Sequence, residues 1–231
     1  ALESHQKAVR AREEGFFEGE IIPLPVPPDF AKMQLIDSGP RAEQSLAALE
    51  KLRPYFDRQA GTVTVGNACP VTDGSAAVLL MSEAKAKEMG LKPLGYLRAF
   101  AYAGLDGRRM GLGPVYATSR LMERGGFTVS DFKLIEMNEA FAAQVIANER
   151  AFASEAFAKE YLGRDKALGE IDRSILNVNG GAIALGHPVG TTGTRLVITV
   201  LRELKRRSQN LGLATLCIGG GQGASLALEV E

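Results

Sequence analysis

Three short segments of this chain hold residue types suited to acyl chemistry: Asn138-Glu139-Ala140-Phe141, Gly186-His187-Pro188-Val189-Gly190 and Cys217-Ile218-Gly219-Gly220-Gly221. Together they offer an amide, an imidazole, a thiol and a run of glycine backbone, each on what reads as a separate loop. Those groups can manage negative charge on a thioester carbonyl, because they combine hydrogen-bond donors for an oxyanion with an acid and a base for proton transfer.

Each residue also has a plainer reading. His187 could cap a turn, Cys217 ends an apolar strand where cysteines are commonly inert, and Asn138 could be a helix N-cap. In company the chemical reading gains. Gly180, Gly181 and Gly190 let the backbone pass close to a ligand and leave the ring in view, and a strand that opens into Gly219, Gly220 and Gly221 presents its last side chain to a cleft. A thiol with a reference pKa of about 8.5 needs only modest lowering to exchange protons near neutrality. Cys69, in Gly66-Asn67-Ala68-Cys69-Pro70, is a competing nucleophile candidate, with nothing beside it in sequence to activate it.

Other chemistries are excluded by pattern. The glycines from Gly219 to Gly223 lead into a strand and not a helix, which removes the helix N-terminus that a nicotinamide nucleotide would need. Gly190 to Arg195 has no lysine in a phosphate-loop position. Two cysteines and two histidines without ligand spacing argue against a metal. The 27 basic and 27 acidic residues balance, which gives no field for nucleic acid or an acidic membrane surface; the run Arg202 to Arg207 reads as a solvated helix end. No apolar run approaches the roughly 20 residues of a membrane span, residues 1 to 17 lack a signal-peptide centre, and the sparse cysteines suit a reducing cytoplasm.

The elements that must position these groups follow an α/β pattern. A helix is expected over residues 2 to 17, ended by Gly15 and Gly19, then an extended proline-rich stretch from Ile21 to Pro28 and a helix from Pro40 to Leu52 stopped by Pro54. Thr62 to Val65 alternates like a strand. Asp73 can cap the small-residue segment Gly74 to Met81, and Ser82 can cap Glu83 to Met89. After a break at Gly90 to Pro93 come a strand Gly95 to Ala103, a helix Pro114 to Arg124, a strand Lys133 to Met137 and a helix Glu139 to about Tyr161. A glycine-rich loop Asn177 to Gly190, a helix Thr191 to Arg207, a strand Leu213 to Cys217 and a strand Ala224 to Val230 complete it, the last two as an antiparallel hairpin. With 45% hydrophobic residues, 231 residues can bury a sizeable core.

Taken together, NEAFA at 138 to 142, NVNGGAIALGHPVG at 177 to 190 and CIGGGQG at 217 to 223 resemble the three C-terminal signature loops of the thiolases. KLRPYF at 51 to 56, GTVTVGNA at 61 to 68, the DGSAAVLLMSE that follows, and MGLGP at 110 to 114 are also similar to that family. β-Ketoacyl synthases share the fold, but Asn138 with Cys217 favours a thiolase.

The resemblance implies a thiolase-like α/β fold with a mixed sheet. Residues 1–68 would be the end of a CoA-contacting loop domain, 69–92 the last segment of the N-terminal domain, and 93–231 the C-terminal domain. It implies that His187 activates the acyl-accepting nucleophile and, with a water held by Asn138, forms one oxyanion hole. Cys217 would be the acid/base, the backbone N–H of Gly219 would donate to a second oxyanion hole, and Glu139 would orient its loop. Arg41, Val65, Gly66, Ala68 and Cys69 fall where the family contacts CoA, and Met110 and Phe141 where it lines the acyl pocket. Cys69 replaces the family's usual serine. No cofactor is tightly bound; CoA and acyl-CoA are substrates.

The family's nucleophilic cysteine lies in an N-terminal half, and neither Cys69 nor Cys217 sits in its motif. The resemblance therefore implies a C-terminal portion that needs that half, as the same gene product or as a separate chain, and that turns over nothing alone. A homo-oligomer is implied for the complete enzyme. The long segment Ala147 to Asp172 is similar to degradative thiolases, some of them subunits of fatty-acid oxidation complexes, which favours 3-ketoacyl-CoA cleavage. An acetoacetyl-CoA-forming thiolase and a non-catalytic acyl-CoA-binding or subunit-docking module remain the other two readings.

Overall fold

Residues 96–229 build a four-stranded mixed sheet, and the computed structural model, which describes all 231 residues, packs parts of the earlier chain against the unit around it. In order the elements are α1 (Leu2–Glu13), a small antiparallel pair β1 (Leu24–Val26) and β2 (Lys32–Gln34), α2 (Leu46–Glu50), α3 (Glu83–Glu88), β3 (Tyr96–Gly104) and α4 (Gly113–Gly125). Then come β4 (Leu134–Met137), α5 (Ala142–Phe152), the single turns α6 (Glu155–Phe157) and α7 (Ala182–Leu185), α8 (Thr192–Arg206), β5 (Leu211–Ile218) and β6 (Gln222–Glu229). The sheet order is β3-β6-β5-β4, with β4 and β5 parallel and the other pairs antiparallel.

Successive strand residues point to opposite faces, and both faces of this sheet are covered. Leu134, Ala214 and Leu228 meet Leu196, Val200 and Leu204 of α8, whose spacing of four puts them on one helix face. Ile135, Leu213 and Ala227 meet Val115, Leu121 and Met122 of α4. The result is a helix, sheet, helix sandwich that fixes the ends of β4 and β5 side by side. Pro114 opens α4, and Gly126, at φ 70°, closes it in the left-handed region. Leu204 is fully buried, so Leu204→Ala should cost about 2–5 kcal/mol, read as a lower urea midpoint at unchanged slope.

Several sequence expectations are corrected. Thr62 to Val65 is not a strand, and Gly74 to Met81, with Asp73 before it, has no regular structure. Neither finds a neighbouring strand or helix to pair with, and a strand without a ladder does not persist. The helix expected from Pro40 shrinks to Leu46–Glu50 because Ser45 caps it, its Oγ accepting from Ala48 N at 3.2 Å. The helix expected from Glu139 to Tyr161 starts at Ala142 and breaks after Phe152, where the Ser154 hydroxyl caps a new turn by accepting from Phe157 N. Ser82 does cap its helix, accepting from Lys85 N.

A large apolar surface is left uncovered. Val71, Leu79 and Leu80 are exposed, as are Phe100 and Tyr102 on β3, whose rings pack edge to face at 5.9 Å. No helix is long and apolar enough to cross a membrane.

Candidate active site

Because β4 and β5 run parallel, Asn138, just past the end of one, and Cys217, near the end of the other, emerge at the same edge of the sheet. Asn138 N donates to the Thr215 carbonyl at 2.9 Å, two residues short of Cys217. Asn177 fixes the turn out of β4. Its Oδ1 accepts from Met137 N at 2.8 Å and its Nδ2 donates to Met137 O at 2.9 Å, which imitates a strand neighbour where the sheet has none.

Asn138 does not cap a helix. Its side chain is fully buried, and its Nδ2 lies 3.3 Å from His187 Nε2. Glu139 lies behind it: its carboxylate accepts from Ser4 Oγ at 2.6 Å, Asn177 Nδ2 at 3.0 Å and Ile183 N at 3.3 Å, and so joins α1, the glycine-rich loop and the loop after β4. A Cβ on Gly181 would collide with that carboxylate, which is why a glycine stands there.

His187 is held from both sides. Gly186 at φ 98° turns the chain, His187 N donates to Thr72 Oγ1 at 3.2 Å, and the Thr191 hydroxyl donates to Gly74 O at 2.8 Å. His187 Nδ1 lies 2.6 Å from Thr192 Oγ1. An amide nitrogen only donates, so Nε2 offers its lone pair to Asn138 and the ring proton sits on Nδ1, donated to Thr192. Burial pushes the imidazole pKa down, and the Arg195 charge pushes it the same way. The ring is neutral at pH 7 with an acceptor facing the site, the form a base requires.

Cys217 corrects an expectation. Its thiol is not lowered towards neutrality: burial pushes it up to about 11, and Cys69 nearby adds to the rise. No cation stands beside it to favour the thiolate. The thiol keeps its proton at neutral pH. Cys69, also free and raised by burial, is half-buried where Cys217 is buried. Brief treatment with iodoacetamide near neutral pH should therefore label Cys69 first, and peptide mass spectrometry finding Cys217 first would contradict this. Gly219 lies exposed beyond β5, with open space where a side chain would stand.

The loop from Val65 to Cys69 is stitched to the Asn138 loop. Ala142 N donates to Asn67 O at 2.9 Å, Cys69 N donates to Ala140 O at 3.0 Å, and Ala68 pairs with Phe141. Gly66 is pressed on by Leu49 and Leu52, and Val65 is exposed. Phe141 packs edge to face on Phe56 at 6.1 Å. Met110 sits on a turn, Gly107–Leu112, that Asn148 secures by donating from Nδ2 to Gly111 O at 2.7 Å. Arg41 is exposed, and its N donates to His5 Nδ1 on α1. Its hydrogen bonds do not run to the Asn138 loop.

Sequence reasoning missed Asn177, Asn148, Ser4 and Thr192. Asn177 had one available signal: an asparagine three residues before a glycine pair is a candidate for the positive φ, 45°, that it adopts. A cavity of about 680 Å³, lined by Thr128, Lys133, Leu168 and Arg207 among others, contains none of the site residues.

Residues 91–230 match the family model for the thiolase C-terminal domain and residues 1–84 that for the thiolase N-terminal domain. The 3-ketoacyl-CoA thiolases of Yersinia pestis (strain Pestoides F) and Yersinia pseudotuberculosis (serotype O:3, strain YPIII) are each 51% identical over 232 residues, which cover 100% of this chain and 53% of theirs. Among solved structures, human mitochondrial 3-ketoacyl-CoA thiolase in complex with CoA superposes with a TM-score of 0.87 at 36% identity, covering 100% of this chain and 53% of that one. The acetyl-CoA acetyltransferase of Bacillus anthracis superposes with a TM-score of 0.86 at 40% identity, covering 99% and 54%. The chain spans about half the length of these relatives.

Proposed function

Because this chain belongs to the thiolase family, we propose that it is the C-terminal part of an acyltransferase that cleaves 3-ketoacyl-CoA with CoA. The observation that carries this reading is the contact of Asn138 with His187 Nε2 at the sheet edge where β5 delivers Cys217.

A cysteine thiolate from the other half of the enzyme attacks the 3-keto carbon. The bond between C2 and C3 breaks, and the acetyl-CoA enolate that leaves takes its proton from Cys217. A thiol pushed up to about 11 suits the donor role in this direction. CoA then enters, His187 takes its thiol proton at Nε2, the CoA sulfur displaces the enzyme's cysteine from the acyl group as its thiolate, and return of the proton from His187 to the Cys217 thiolate closes the cycle. Asn138 Oδ1, buried without a partner in the protein, is free to accept from a water that would complete one oxyanion hole with His187. The Gly219 N–H serves the second, and one such donor is worth about 3 kcal/mol of barrier.

Glu139 orients the Asn138 loop. Residues 1–68 belong to the CoA-contacting region, with Val65 to Cys69 and Arg41 on the CoA side and Met110 and Phe141 at the acyl chain. Residues 69–92 complete the N-terminal domain and 93–231 form the C-terminal one. CoA and acyl-CoA are its substrates, the cytoplasm its compartment, and the partner is the remaining half of a thiolase. The exposed apolar residues Leu79, Leu80, Phe100 and Tyr102 support that partner, since apolar surface of this extent marks a contact. The complete enzyme is a homo-oligomer that can serve a fatty-acid oxidation complex.

The test of direction compares two assays on the chain complemented with an N-terminal thiolase half. Thiolysis of 3-ketoacyl-CoA of increasing length should exceed acetoacetyl-CoA formation from acetyl-CoA. Condensation alone, with no thiolysis beyond four carbons, would overturn the degradative reading in favour of a biosynthetic one.

A further inference from the structure

Two ties join the end of β4 to the first turn of α8. One runs from Asn138 through the His187 ring to Thr192. The other runs from Glu136, two residues before Asn138, to Arg195, three residues after Thr192, with Nη1 donating to Glu136 Oε2 at 3.2 Å. The site chemistry uses the first tie and leaves the second unexplained.

The second tie is an unusual burial of charge. Glu136 is fully buried, and burial pushes its carboxyl up to about 8 against the opposing pull of Arg195. Glu136 Oε1 and Arg195 Nη2 are both buried without partners. The other carboxylates that face Arg195 are Glu20, which accepts from Thr199 Oγ1 at 2.8 Å and lies 3.8 Å from Arg202, and Asp37; burial pushes both upward, so each is a weaker counter-charge than a solvated carboxylate. Glu139 opposes ionisation of Glu136 from the next turn of chain. Around His187 itself, the loop carrying Thr72 and Gly74 contributes a hydroxyl and a carbonyl, β4 an amide and α8 a hydroxyl. Arg195 is the charged group that bears on the ring.

We propose that Arg195 is a positioning residue for the His187 base: its guanidinium, anchored on β4 by Glu136, holds the first turn of α8 to the strand and so sets the Thr192 hydroxyl against His187 Nδ1. A buried cation near a histidine disfavours a second positive charge. Incompletely matched by the carboxylates around it, Arg195 does so without forming a bond to the ring. This role rests on the acyl-transfer reading of His187.

The chain has two histidines, so a long-range ¹H–¹⁵N spectrum of the imidazoles can follow His187 directly, with His5→Gln assigning the pair. Arg195→Met should move the His187 titration midpoint up, and Arg195→Lys should return it towards that of the unaltered chain. Glu136→Gln, isosteric and so the safer variant for folding, should leave the midpoint unchanged or lower it. An unmoved or lowered midpoint in folded Arg195→Met, a lysine variant that behaves as methionine does, or a raised midpoint in Glu136→Gln would each overturn the proposal. The measurement needs no turnover. Absence of thiolysis in the complemented chain would therefore sink the acyl-transfer reading and leave the coupling of Arg195 to His187 standing.

Discussion

Replacing His187 with alanine is expected to lower kcat/KM for thiolysis by about 10²–10⁴-fold in the chain complemented with its N-terminal half, the range that a positioned general base contributes. The ring stands between Asn138 Nδ2 and Thr192 Oγ1, so no water or neighbour takes over Nε2 at the same point in space. The pH profile gives an independent reading. His187 acts when neutral, and burial and Arg195 hold its pKa below the usual value. Activity in the unaltered protein should therefore persist below the ordinary histidine range and fall only as pH drops through that depressed pKa. A loss of less than about tenfold in the alanine variant would remove His187 from the reacting groups, since a base contributes at least 10²-fold.

The second large effect concerns stability. Asn177→Ala removes the acceptor of Met137 N and the donor to both Met137 O and Glu139 Oε1, all buried. Buried polar groups left unpaired cost about 1–3 kcal/mol each. Asn177 also holds φ at 45°, which alanine tolerates worse than asparagine by about 1 kcal/mol. A total loss of about 4–5 kcal/mol, the lower end of that sum, is expected in urea unfolding. Asn177→Gly should recover about 1 kcal/mol of it by relieving the backbone alone. Equal stabilities for the alanine and glycine variants would mean that the positive φ carries no strain.

The two predictions differ in how far the sequence reaches. His187 was legible because glycines flank it and because three signature loops occur in order. Helix α8 and the β5–β6 hairpin were legible because apolar spacing repeats over many residues, and α4 because Pro114 and Gly126 mark its ends. Thr62 to Val65 and Gly74 to Met81 carry the right residues for regular structure but have nothing to pair with, and pairing is a property of the fold, not of the segment. The break after Phe152 turns on one serine hydroxyl out-competing a continuing helix. Cys217 misled for the same kind of reason. Its sequence gives a thiol beside glycines, while its pKa is set by the sheet that buries it. Asn138 looked like a cap because a helix follows, whereas its partner His187 lies 49 residues away, a distance that no local pattern encodes. Asn177, 40 residues from Met137, is hidden in the same way.

In the proposed reaction, Asn138, His187, Cys217 and the Gly219 amide act on one thioester carbonyl once a nucleophilic cysteine is brought to them. Thiolysis of a 3-ketoacyl-CoA, measured for this chain alone, with an N-terminal thiolase half, and with that half when Cys217 is alanine, tests it most directly. No turnover alone, turnover on complementation, and loss of that turnover in the Cys217→Ala chain are expected. Full thiolysis by the isolated chain, or an unaffected Cys217→Ala complex, would contradict it.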